Sequence, residues 1–145
     1  EPNKNNYELA KINLAPFHKR VDCQNAAIWH KDTKLMISGD SVHARTTSRT
    51  ESANEKAYQV EAISLERLIS RSENSRLGLL KLDIEGAEHP LLYKTKAEFL
   101  NRIDCIVAEL HGSDITRDVK NLLRELNFST YQYRSIWIFK NLNSE

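Results

Sequence analysis

Apolar positions along the chain recur with two spacings, and the switches between them mark out the elements. From Ile115 to Leu126 they fall at Ile115, Val119, Leu122, Leu123 and Leu126, the spacing of one helical face, with Asp114 where a cap is expected. A looser stripe of Tyr7, Ala10 and Leu14, widened by Leu9 and Ile12, predicts a helix over Lys4 to Leu14, capped by Asn3 and ended by Pro16. Ser64 is placed to cap a helix over Leu65 to Ser70. Its third position is Arg67, so no capping box forms, while Glu66 in the first turn suits the helix dipole. Ala87 to Lys94 reads as a helix that tolerates Pro90 in its first turn, where backbone amides lack an intrahelical partner. Ala97 to Asn101 reads as a short helical segment.

Strand-length runs alternate with these helices: Arg20 to Trp29, Lys34 to Ser38, Ala57 to Ile63, Leu77 to Ile84, Arg102 to Leu110, Phe128 to Tyr133 and Ile136 to Phe139. In Leu77 to Ile84 five of eight residues are Leu or Ile, the composition of a strand buried on both faces. Only Arg134-Ser135 joins the last two runs, too short a link for a parallel crossover, so they form an antiparallel hairpin. Lys34 to Ser38 and Ala57 to Ile63 suit an antiparallel excursion. The remaining alternation of strand and helix predicts an α/β fold whose sheet is mostly parallel and ends in the hairpin. Gly39 to Lys56 is polar and reads as a long surface loop, with His43, Arg45 and Arg49 either solvated or facing an anionic substrate.

The 145 residues suffice for a single domain with a sizeable core. Twenty-one basic and 20 acidic residues leave a net charge of +1, and no long basic run occurs, which argues against nucleic acid or an anionic membrane as partner. No apolar stretch approaches the length of a membrane span. Cys23 and Cys105 read as buried free thiols, as in a reducing, cytoplasmic compartment. The chain opens on Glu1-Pro2-Asn3 with no methionine and no preceding strand. This predicts a domain whose N-terminal strands, and any targeting segment, lie upstream.

Candidate chemistry gathers where two strands end. Asp83-Ile84-Glu85-Gly86 closes the Leu77 to Ile84 run, and in open α/β sheets ligands bind beyond the carboxyl ends of strands. Gly86 permits a tight turn. Alternation puts Lys81, Asp83 and Glu85 on one side, so Asp83 is either a functional acid or the structural partner of Lys81. Glu88 reads as a solvated helix residue or as part of the same mouth. The second strand ends in Glu109-Leu110-His111-Gly112, with Glu109 and His111 on one side. Were the two strands parallel neighbours, Asp83, Glu109 and His111 would share one mouth, as a hydrogen-bond network or as two hard oxygens and an imidazole for Mg²⁺, Mn²⁺ or a transition metal. Asn25 interrupts the apolar pattern of its strand, either as a turn former or as an amide facing a purine. Trp137 and Tyr131 read as packing residues.

Glu1-Pro2-Asn3, Asn25 to Trp29 (NAAIW), Lys81 to Glu88 (KLDIEGAE) and Ala108 to Gly112 (AELHG) together resemble the FkbM family of S-adenosylmethionine-dependent methyltransferases, over Glu1 to about Lys140. KLDIEGAE is the most specific of these elements. The resemblance implies a Rossmann-like methyltransferase sheet ending in an antiparallel hairpin. It also implies transfer of a methyl group to a hydroxyl of a small molecule, sugar or lipid. It gives Glu1 the ribose hydroxyls of the cofactor, Asn25 and Ala26 the adenine pocket, and Asp83 the methionine part and the acceptor. Glu85, Glu88, Glu109 and His111 match the surrounding mouth, with His111 as base. The family's first strand and glycine-rich loop would lie before Glu1. Two other classes fit the residues less fully: a Mg²⁺-dependent phosphatase built on Asp83, which would want a second Asp where Glu85 stands, and a non-catalytic domain that kept the fold.

Overall fold

In the computed structural model, which describes residues 1–38, 45–46, 58–72, 75–84 and 86–144, the elements assemble into two units. One comprises Glu1–Ile28 and Asp32–Ile63, the other Trp29–Lys31 and Ser64–Glu145. Of the polar 39–56 loop only Arg45–Thr46 falls within the described residues; His43, Arg49 and, further on, Glu85 lie outside them.

In the first unit α1 (Lys4–Leu14) forms as predicted, with Asn3 Oδ1 accepting from the amides of Asn5 and Asn6 at 2.9 and 3.1 Å. A 3₁₀ turn over Ala15–Phe17 holds Pro16 where its missing N–H is harmless. The expected apolar stripe is not covered: no residue of α1 is buried, and Leu9 and Ile12 are exposed. The strand predicted over Arg20 to Trp29 shortens to β1 (Ala27–Trp29). The reason is local hydrogen bonding: Gln24 donates to the Asp22 carboxylate, and Asn25 donates to backbone carbonyls near the start of the chain.

Strands β2 (Thr33–Ser38), β3 (Arg45–Thr46) and β4 (Tyr58–Ser64) complete a sheet of order β1-β4-β2-β3. The antiparallel β2–β4 pairing predicted from the pattern is present, with Leu35 opposite Val60 and Ile37 opposite Tyr58. That register puts Ile37, Val60 and Ala62 on one buried face. Lys34 and Glu61 face each other on the other side, 3.3 Å apart and exposed.

The second unit opens with α2 (Leu65–Arg71), its Arg67 amide bonded to Ser64 Oγ at 3.1 Å and its Leu65 and Ile69 fully buried. β5 (Leu80–Leu82), α3 (Glu88–Lys94), α4 (Ala97–Leu100), β6 (Cys105–Glu109), α5 (Ser113–Glu125), β7 (Phe128–Tyr133) and β8 (Ile136–Asn141) follow. The strands lie in the order β5-β6-β8-β7. Parallel pairing of β5 with β6 places Leu82 beside Ala108, and antiparallel pairing of β6 with β8 places Ile106 opposite Phe139. Leu82, Ile106, Ala108 and Phe139 therefore share one face and are almost wholly buried, as are Leu91 and Leu92 of α3 and Val119 and Leu123 of α5. β5 is shorter than predicted and buried on one face only, with Leu79 and Lys81 exposed. β6 likewise begins at Cys105, after a single parallel bridge from Leu77 to Ile103. Cys23 and Cys105 are free and half-buried.

Among the described residues the sheets are mixed and not the mostly parallel one expected. β5 and β6 run parallel, whereas β2 with β3 and β4, and β8 with β6 and β7, are antiparallel, giving a mixed α/β architecture of two four-stranded sheets. Parallel pairing needs a long crossover, and the segment carrying α3 and α4 supplies one between β5 and β6. Asp114 is not the cap of α5. Gly112, at φ +110°, occupies that position, and Asp114 in the first turn pairs with Arg117 at 3.0 Å.

Asn141 at the end of β8 is fully buried. Its Nδ2 donates to the carbonyls of Asn101 and Ile103 at 3.1 and 3.0 Å, and its Oδ1 accepts from the Asn143 amide at 2.9 Å. It thus clamps the hairpin to the turn before β6. Asn141→Ala leaves these groups without partners and is expected to lower the free energy of unfolding by about 2–3 kcal/mol, measured by chemical denaturation.

Candidate active site

The parallel register that sets Leu82 beside Ala108 carries Asp83 and Glu109 out at the ends of neighbouring strands, and each chain then turns into a helix through a glycine. Gly86 has φ +94° and Gly112 φ +110°, the left-handed region that favours glycine, so both turns depend on it. Nothing stands within 4 Å of where a Cβ on Gly86 would lie, so its requirement is conformational and not one of space.

Glu88, the first residue of α3, is the side chain that organises this end of the sheet. It is fully buried. Its Oε1 accepts from the Ile84 amide at 3.2 Å and faces His111 Nδ1 at 3.2 Å, joining the turn after β5 to the turn after β6. Its Oε2 is buried and has no hydrogen-bond partner among the described residues. A buried carboxylate oxygen without a partner is costly, and Glu88 is held in place against that cost. The His111 side chain remains about one-third exposed, at 34%. When Nδ1 carries the proton towards Glu88, the lone pair of the ring is on Nε2.

The other predicted residues divide. Asp83 is exposed, and its Oδ2 lies 3.2 Å from Lys81 Nζ, also exposed: the structural pairing that alternation allowed. Glu109 is half-buried at the end of β6, beside Asp83 by register. Glu85 lies outside the described residues. Among those described, no group of three or more His, Cys, Asp and Glu side chains could hold a metal ion, so Asp83, Glu109 and His111 do not form the ligand set that their spacing allowed. With Asp83 held by Lys81, the phosphatase arrangement has no observation in its favour. His30 stands apart from this cluster: burial, Lys94 and Lys31 hold its imidazole below the ordinary value, and Lys94 ends α3 at the opposite terminus from Glu88.

Within the first unit Glu1, Asn25 and Ala26 do come together. The Glu1 nitrogen donates to the carbonyls of Gln24 and Ala26 at 3.2 and 3.3 Å, and Asn25 Nδ2 donates to those of Glu1 and Pro2 at 3.0 and 3.1 Å. The Asn25 amide group is therefore a backbone clamp. The exposed Glu1 carboxylate accepts from the Asn3 amide through Oε1 at 2.8 Å. Oε2 and the remaining lone pairs are acceptors of the kind that vicinal hydroxyls require.

Glu88 is the residue whose role sequence reasoning left open, although its position was informative. It lies three and four residues before the buried Leu91 and Leu92 and seven before the buried Thr95, on the covered stripe of α3. Among the described residues no helix is long and apolar enough to cross a membrane. A family model described as Methyltransferase FkbM domain matches residues 1–134. No curated protein and no solved structure matches the chain.

Proposed function

The chain belongs to the FkbM methyltransferase family, and from that premise we propose that it methylates a hydroxyl oxygen of a small molecule, sugar or lipid, with His111 as the base. The observation that supports this reading is the buried Glu88 carboxylate set against His111 Nδ1, which favours the tautomer that carries its proton on Nδ1 and its lone pair on Nε2.

Within the first unit Glu1 offers carboxylate oxygens of the kind the ribose hydroxyls of S-adenosylmethionine require. Within the second, the exposed Asp83 and the half-buried Glu109 at the strand ends offer negative charge of the kind an ammonium or sulfonium requires. When bound, S-adenosylmethionine supplies an electrophilic methyl carbon. The chain's own task is then to hold the acceptor and to take one proton. His111 Nε2 would accept the hydroxyl proton as the methyl carbon passed from sulfur to the acceptor oxygen and the cofactor left as its neutral thioether, and the Glu88 carboxylate would stabilise the resulting imidazolium. Asp83 orients the acceptor or the cofactor ammonium.

Incubation with S-adenosylmethionine carrying a labelled methyl group and a panel of hydroxyl compounds tests this reading through label in an ether product. Label found only on nitrogen or carbon acceptors would overturn it. Glu88→Gln keeps an acceptor for the Ile84 amide but can present N–H to His111, which disturbs the ring tautomer. In the active enzyme it is expected to lower kcat by roughly 10² or more while leaving KM for the cofactor within a few-fold. An unchanged kcat would reduce Glu88 to a packing residue.

A further inference from the structure

We propose that the groove between α5 and the β7–β8 hairpin binds a small-molecule oxyanion, the class of a sugar phosphate or sugar sulfate, through Lys120, Arg124 and Arg117 beside Trp137. The groove has a volume of about 730 Å³, the size of a small-molecule site. Its wall carries three cations and no carboxylate, in a chain with almost equal numbers of basic and acidic residues. Arg117, Lys120 and Arg124 follow one another at i, i+3 and i+7, on one face of the helix.

The acids of α5 act on the first of these cations only. Asp114 and Asp118 lie 3.0 and 3.2 Å from Arg117, and Asp118 also approaches His89 at 3.8 Å. Among the described residues no carboxylate pairs with Lys120 or Arg124. Like charges four residues apart on a helix repel, a cost that an anion lying between them would remove. Both side chains are held in place by uncharged neighbours. Lys120 Nζ sits 4.4 Å from the centre of the Trp137 ring, and Arg124 Nη2 donates to Asn121 Oδ1 at 2.9 Å. The lining also includes Ser113 and Thr116 on α5 and Ser129 and Thr130 on β7; the Thr116 and Ser129 hydroxyls already donate to the Gly112 and Lys140 carbonyls at 2.8 and 3.2 Å, so towards a sugar hydroxyl they would serve as acceptors. A phosphate or sulfate ester offers several strong acceptors to an arginine fork and a lysine at once. Nothing in this inference depends on methyl transfer.

The chain contains two tryptophans, so Trp29→Phe leaves Trp137 as the only indole reporter. Titration with inorganic phosphate and with glucose 6-phosphate is expected to change its fluorescence saturably, whereas sodium chloride at matched ionic strength is not. Calorimetry on the chain with both tryptophans checks that the Kd is the same. Lys120→Gln and Arg124→Gln, read by calorimetry because the first alters the surroundings of Trp137, are each expected to weaken binding about tenfold. Tighter binding of glucose 6-phosphate than of phosphate would assign the hydroxyl wall to the sugar. Equal binding would assign the site to the oxyanion alone and support the charge argument without the sugar. A response to phosphate no different from that to chloride, or a Kd untouched by both substitutions, would overturn the proposal.

Discussion

His111→Ala is expected to lower kcat for methyl transfer by roughly 10² to 10⁴, the usual contribution of a positioned general base, with little change in affinity for the cofactor. An alcohol is a poor nucleophile at neutral pH, so its proton must leave as the carbon–oxygen bond forms. In the proposed reaction the His111 ring, set against a buried carboxylate and one-third exposed, takes that proton. Asp83 gives a contrasting expectation. Its carboxylate is exposed and shares a lysine, so Asp83→Asn should act chiefly on acceptor or cofactor binding and show itself in KM. Steady-state kinetics on both variants separates the roles. Full kcat in His111→Ala at every pH, together with loss of activity in Asp83→Asn, would move the base to Asp83. Full activity in both would make the strand ends structural.

Phe139→Ala should strongly destabilise the second unit. Phe139 is a large, fully buried side chain on β8, paired with Ile106 on one side and Thr130 on the other. It lies on the same face as Leu82 and Ala108, so deleting the ring opens a cavity where the sheet meets its helices. Such truncations cost about 3–5 kcal/mol, against total stabilities of about 5–15 kcal/mol for whole domains. Urea denaturation followed by circular dichroism would register the change as a lowered midpoint. A loss below about 1 kcal/mol would mean that the neighbouring side chains close over the space.

The second unit was largely legible because its signals are local. The recurrence of Val119 and Leu123 identifies the buried stripe of α5, and the two residues between Tyr133 and Ile136 leave the chain no route but a hairpin. Ser64 and Asn3 were readable as caps for the same reason. Arg20 to Ala26 misled because Val21 and Cys23 alternate with polar residues as in a strand, yet Asp22, Gln24 and Asn25 find their hydrogen bonds through side chains. The direction of the sheets was beyond reach of the pattern, since strand–helix alternation does not show which strands become neighbours. At the site, the parallel neighbours and their polar ends were read correctly, but polarity masked Glu88. A carboxylate on a buried stripe looks like a helix drifting to the surface until its partners, Ile84 on one turn and His111 on another, are known.

That shared carboxylate makes the Ile84 amide a remote sensor of the histidine. One oxygen accepts from both, so a proton gained or lost by the ring, or a molecule that draws the ring aside, redistributes charge on Glu88 Oε1 and changes the strength of its bond to the Ile84 N–H. In a nitrogen–proton correlation spectrum this single backbone resonance would move with events at the ring. An acceptor of unknown identity could then be sought from a compound collection by watching one peak, before any turnover is observed.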